Sequence, residues 1–110
     1  MITKREKTYF AKIYMAGDPA TAKQIIRKMC FDVGLCVSIE NVEYIYTGGE
    51  ESGYCATVIQ YPRFPCDESD IREKAKDLAI KLMEGTFQLS CCLVFSDETI
   101  YIARDIKEKK

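Results

Sequence analysis

Apolar positions along the chain change period several times, and each change marks an element. Residues 8–16 alternate: Tyr9, Ala11, Ile13 and Met15 share one face, while Phe10, Lys12 and Tyr14 share the other. This predicts a strand whose second face, marked by a lysine, is the less buried. Asp18-Pro19 then supplies a capping side chain and a proline at the first helical position. Ala22, Ile25, Ile26, Met29, Cys30 and Val33 follow as one helical stripe up to Gly34, predicting a helix over 19–33. Phe31 falls about 180° from that stripe and so does not belong to the core the helix faces.

A second strand is predicted over 35–47. Val37 and Ile39 share one phase and Val42, Tyr44 and Tyr46 the opposite one, which predicts a bulge near Glu40-Asn41. Gly48-Gly49 marks a hairpin turn, with Gly53 adding freedom before a third strand over 54–61, which Pro62 and Pro65 end. Asp67 or Ser69 caps a second helix, 68–84, with Ile71, Ala75, Leu78, Ala79, Leu82 and Met83 inside, Gly85 at its end, and Ile80 about 180° away. A strand over 88–95, a turn at 96–99 and a short strand over 100–103 complete the pattern, leaving a charged, frayed tail at 105–110 and a frayed start at 1–7. The order is β-α-β-β-α-β with an extra strand. It predicts one α+β domain of the ferredoxin-like type, both helices on one sheet face and the other face open.

Composition narrows this picture. With 110 residues and 47% hydrophobic content, the chain suits one two-layer core. Sixteen basic and 17 acidic residues nearly cancel, which argues against non-specific nucleic-acid binding, driven as that is by phosphate neutralisation. No apolar run reaches the roughly 20 residues of a membrane-spanning helix, and residues 1–7 do not read as a signal peptide, so a cytoplasmic protein is expected. The cysteines at 30, 36, 55, 66, 91 and 92 lack CxxC spacing, and histidine is absent, so no zinc pattern and no other cofactor pattern is present. Reduced thiols packed as small hydrophobes are expected, with Cys66, just before a helix start, the one to watch.

Candidate chemistry is sparse. Without histidine, a serine or cysteine nucleophile lacks its usual base, and no GxSxG elbow occurs. The acidic pairs Glu50-Glu51, Asp67-Glu68 and Asp97-Glu98 read as solvated or capping groups, and Gly48-Gly49-Glu50-Glu51 lacks phosphate-loop spacing. No enzyme is expected. Tyr61-Pro62-Arg63-Phe64-Pro65 is the stretch that suggests binding, since two prolines stiffen a loop carrying an arginine and aromatics. Either Arg63 and Phe64 are displayed to a partner, or Phe64 packs under the second helix and Arg63 is solvated. The segment 13–17 and Gly53-Tyr54 share a strand pattern with RNA-recognition domains, but Ser52, Ala56 and Ile59 stand where the basic residue and stacking aromatics belong.

The segment 44–51 together with Tyr61-Pro62-Arg63-Phe64-Pro65 resembles a group of small bacteriophage proteins, over about 9–101. The resemblance implies an accessory protein acting inside an infected bacterium, as inhibitors of host defence do. Two functions then compete. A protein-binding inhibitor of a host protein would use Phe31, Ile80 or the open face with Phe10 and Tyr14. A binder of a small anionic ligand, such as a nucleotide signal, would use Arg63, Tyr61 and Lys12, in a pocket at an oligomer interface. Exposed apolar surface on the open face predicts a homodimer.

Overall fold

A computed structural model describes residues 1–104; the tail at 105–110 lies outside them. The strands are β1 (Phe10–Ala16), β2 (Val37–Tyr46), β3 (Gly49–Ile59), β4 (Ser90–Phe95) and β5 (Thr99–Ala103), and the helices are α1 (Pro19–Val33) and α2 (Glu68–Gly85). They form a single sheet in the order β2-β3-β1-β4-β5, every pairing antiparallel. Two helices lie on this sheet, which is the α+β ferredoxin-like arrangement.

Alternation decides which face is covered. Ala11, Ile13 and Met15 of β1 join Tyr54, Ala56 and Val58 of β3, Cys91, Leu93 and Phe95 of β4, and the stripes of both helices in one apolar cluster. Burying a side chain such as Leu78, Leu82 or Ile71 there contributes about 1.5–3 kcal/mol each. Phe10, Lys12 and Tyr14 point to the other face, half-buried, opposite Ile59, Thr57 and Cys55 in register. Phe31 is 89% exposed and Ile80 also lies outside the core, as their phase predicts. All six cysteines are free; Cys55 and Cys91 are buried, Cys36 is exposed and the other three are half-buried.

Local chemistry sets the helix ends. Asp18 accepts from the N–H groups of Ala20 and Thr21 (3.3 and 3.2 Å) and from the Thr21 hydroxyl (2.8 Å), which holds its carboxyl below the usual range, the hydroxyl bond being the largest cause. Gly85 is not the terminator of α2. It closes the helix from within, and the left-handed residue beyond is Phe87, at φ 58, while the Gln88 N–H donates to Met83 O at 2.8 Å. A side chain in that conformation costs about 1–2 kcal/mol.

The second strand departs from expectation. Its register runs unbroken from Val37↔Val58 to Tyr46↔Gly49, so no bulge forms at Glu40-Asn41. The apolar phase flips because the hairpin outgrows the body: β1 reaches β3 only as far as Ala16↔Gly53, and beyond that β2 and β3 pair only with each other. Glu50 to Gly53 accordingly belong to β3 and not to a loop, and the turn is Thr47-Gly48, with Gly48 at φ 88. This arm is solvated on both faces, with Ile45 80% exposed.

Gly53 stands where the arm leaves the body, and its role is space. A Cβ there would lie 2.2 Å from Met15 O, 2.7 Å from the Tyr44 ring and 2.8 Å from the Ala16 Cα. The Tyr44 ring covers the glycine and its hydroxyl donates to Tyr54 O at 2.8 Å, with Met15 O a second acceptor at 3.2 Å. Burial pushes the Tyr44 phenol up to about 12, so it remains a donor at all physiological pH values.

Candidate functional site

The residues with binding chemistry gather at the end of the sheet opposite the arm, around the connection from β3 to α2. Its anchor is Gln60, which continues the buried phase of Tyr54, Ala56 and Val58 past the end of the strand. A buried amide requires partners on both sides. The Gln60 side chain finds them in one residue: its Nε2 donates to Cys66 O at 2.6 Å, and the Cys66 N–H donates to its Oε1 at 2.7 Å. The Gln60 N–H donates to Tyr9 O at 2.9 Å, tying the loop base to the chain entering β1.

Between these clamped ends the segment 61–65 turns outward. The Phe64 N–H donates to Tyr61 O at 2.9 Å, bringing the two rings to 6.0 Å at a 58° tilt, with the Arg63 guanidinium 5.2 Å from the Phe64 ring centre. Phe64 is 65% exposed, so it does not pack under α2 as a staple. The prolines and the Gln60 clamp fix the rings before any ligand arrives.

Two recesses flank this loop. On one side lies a cleft of about 540 Å³ whose apolar walls include Tyr61, Phe64, Ile71 and Val58, with Lys74 and three cysteines, Cys30, Cys36 and Cys66, on the same lining. Across Cys66 lies an acidic recess of about 680 Å³ bounded by Glu6, Asp67, Asp70 and Glu73. The Lys74 Nζ to Asp70 ion pair, at 3.2 Å, joins the two walls. Asp67 occupies the N-cap position of α2 yet makes no capping bond, leaving its carboxylate available.

The acidic pair at the β4–β5 turn and Glu68 share one structural partner. Arg72 binds Glu68 (3.1 Å), Asp97 and Glu98 (2.9 Å) and stacks 4.4 Å above the Phe95 ring, fastening α2 to the β4–β5 turn. Glu50 and Glu51 lie exposed on the arm.

The structure therefore brings Tyr61, Arg63 and Phe64 together. Phe10 and Lys12 (Lys12 Nζ 5.9 Å from the Phe10 ring centre) border a separate recess on the far side of Pro62, and Tyr14 lies further along the open face. Lys12 is not part of the Tyr61 cleft. Phe31 and Ile80 occupy the helices and line neither recess. Gln60, Asp70, Glu73 and Lys74 escape the sequence pattern, with one exception: a glutamine in the buried phase just beyond a strand is a legible sign of a clamped loop. Among the described residues no group of three or more histidine, cysteine or acidic side chains is placed to hold a metal, and no helix is long and apolar enough to cross a membrane.

The class that fold and loop define is a two-layer α+β protein with a displayed aromatic loop at one sheet end. No protein-family model and no curated protein matches the chain. Among solved structures, a phage SAM lyase in the apo state superposes with a TM-score of 0.73 at 16% identity, covering 98% of this chain and 100% of that one. A phage SAM lyase in complex with S-methyl-5'-thioadenosine gives the same TM-score and identity over 98% of both chains. At this identity the likeness is one of fold. Both neighbours are phage proteins, as were the small proteins the sequence resembles. The expectation of a non-enzymatic protein, whether inhibitor or ligand sequesterer, is overturned, because an architecture shared end to end carries lyase chemistry in these neighbours. A missing histidine is therefore no ground for excluding an enzyme on this fold.

Proposed function

We propose that the chain is a lyase acting on S-adenosylmethionine and releasing S-methyl-5'-thioadenosine, in an infected bacterium. The end-to-end fold match to phage SAM lyases carries this reading. The chemistry suits a chain without histidine. The methionine carboxylate of the substrate attacks its own γ-carbon, the carbon–sulfur bond breaks, and its electron pair stays on sulfur. Neutral methylthioadenosine leaves and homoserine lactone remains. No water enters and no proton moves, so no protein base is needed.

What such a reaction asks of a protein is a folded substrate, with the carboxylate in line behind the breaking bond and shielded from water. The rings of Tyr61 and Phe64 offer an adenine platform. Asp67, Asp70 and Glu73 offer anionic partners for the sulfonium and ammonium charges. The purified chain, incubated with S-adenosylmethionine and followed by liquid chromatography with mass detection, is expected to yield methylthioadenosine and homoserine lactone in equal amounts. Substrate left intact, or methylthioadenosine appearing no faster than without protein, removes the proposal.

We further propose that copies associate through the open sheet face. Tyr14 lies in register with Cys55 and Cys92, Cys92 with Tyr101, and among the described residues no helix covers this aromatic row. Light scattering is expected to give about twice the 12.6 kDa chain mass. Tyr14→Glu is expected to return it to one chain mass with the helical signal intact, since an unpaired carboxylate is costly to bury. A parent protein at one chain mass, or a dimer indifferent to Tyr14→Glu, rules out this interface.

A further inference from the structure

The turn that ends α1 sets two thiols on one wall of the aromatic cleft. Cys30 lies in the last turn of the helix, where its carbonyl accepts from the N–H groups of Gly34 (3.0 Å) and Leu35 (3.4 Å). Gly34, at φ 69, reverses the chain, and Cys36 follows just before β2. A Cβ on Gly34 would meet nothing within 4 Å, so the turn borders open space. Cys30 and Cys36 both line the cleft, the first half-buried and the second exposed. Burial pushes the Cys30 thiol up, the Cys36 thiol adds to this, and the Val37 N–H opposes it. Cys36 is therefore the accessible thiol and Cys30 the sheltered one beside it.

We propose that Cys30 and Cys36 form an oxidisable dithiol, converted by a peroxide into a disulfide that narrows the cleft. The Cys36 thiolate attacks one peroxide oxygen, the O–O bond breaks, and Cys36 becomes a sulfenic acid as the departing hydroxide is protonated to water. Cys30, giving its proton to solvent, attacks the Cys36 sulfur. The S–S bond forms, the S–O bond breaks, and a second water leaves. Two thiols and one hydrogen peroxide thus give one disulfide and two waters. Cross-linking across Gly34-Leu35 draws Cys36 toward the helix and changes the wall facing Tyr61 and Phe64. The effect on ligand rests on the proposed nucleoside site; the cross-link does not.

The full chain, treated with hydrogen peroxide and alkylated without reduction, is expected to lose about 2 Da and two alkylation sites. Chymotrypsin, cutting after Phe31 and Leu35, is expected to leave the Cys30 and Cys36 peptides joined. Oxidised protein is expected to bind methylthioadenosine about tenfold or more weakly, from loss of part of an apolar wall, with dithiothreitol restoring it. Alkylation of Cys66 inside the cleft is expected to slow in parallel, and Cys36→Ser to prevent every change. Absence of a cross-link, a cross-link to Cys66 instead, or unchanged Cys66 alkylation overturns the proposal. If reduced protein fails to bind methylthioadenosine while cross-link and Cys66 protection are seen, the nucleoside reading falls and the dithiol stands.

Discussion

Gly53→Ala is expected to lower stability by about 3 kcal/mol or more, the upper end of what overpacking a buried site costs. That is roughly a fifth to three fifths of a domain's margin of about 5–15 kcal/mol, so a clearly lowered denaturation midpoint is expected. The added methyl group would sit 2.2 Å from Met15 O and 2.8 Å from the Ala16 Cα. Both belong to the β1 backbone and can move only if the β1–β3 pairing opens. The Tyr44 ring, 2.7 Å away, is the obstacle that a rotamer change could relieve. Adding Tyr44→Ala therefore should not rescue Gly53→Ala, and the double variant should be weaker still for losing the Tyr44 hydroxyl bonds. Gly48→Ala is the control: it has open space and only the strain of φ 88, costing about 1–2 kcal/mol. Urea denaturation followed by circular dichroism measures all three. A Gly53→Ala protein within about 1 kcal/mol of the parent, or one rescued by Tyr44→Ala, shows that side-chain crowding and not strand spacing governs this position.

The same corner shows where sequence patterning holds and where it lapses. Both helices are legible nearly to the residue, because 3.6-residue stripes are local and have a core to face, with a capping side chain at the start of α1 alone. In β2 the pattern is equally clear up to Ile39, where a core still demands one phase. Beyond it, Val42, Tyr44 and Tyr46 occupy the other phase without a bulge, because the arm has left the helices and no face is obliged to be buried. For the same reason the polar run Glu50-Glu51-Ser52-Gly53 resembles a loop yet pairs as strand, down to a Ser52 hydroxyl donating to Glu43 at 3.0 Å. Of the site, the Tyr61–Pro65 stretch is legible from its prolines and rings. The acidic recess is not, since its members, Glu6, Asp67, Asp70 and Glu73, are ordinary solvated charges until folding places them side by side. The proposed activity has no counterpart in the sequence pattern. Screening for bases and nucleophiles detects only reactions in which the protein moves a proton or makes a bond, and a substrate carrying its own nucleophile and leaving group passes unseen.

The proposed lyase reaction places the burden on binding, which makes Phe64→Ala the most informative change at the proposed site. Stacking of a base on an aromatic ring contributes about 1–3 kcal/mol, so methylthioadenosine affinity is expected to fall about 5- to 150-fold. The adenine does not react and is held alike in the ground and transition states. The loss should thus appear in KM while kcat for S-adenosylmethionine stays within about a factor of two. Because Phe64 is 65% exposed, its removal should shift stability by no more than about 0.5 kcal/mol, so a fall in affinity cannot be ascribed to unfolding. Phe64→Trp should retain or tighten binding, since it keeps the ring face. Arg63→Ala should cost less, because the guanidinium covers one face of a ring whose other face remains. Calorimetry with methylthioadenosine and steady-state kinetics measure these effects. Should Phe64→Ala bind like the parent while the parent releases methylthioadenosine, the lyase survives but its site moves away from this loop, and the recess beyond Pro62, bordered by Phe10, Lys12 and Thr57, becomes the next place to substitute.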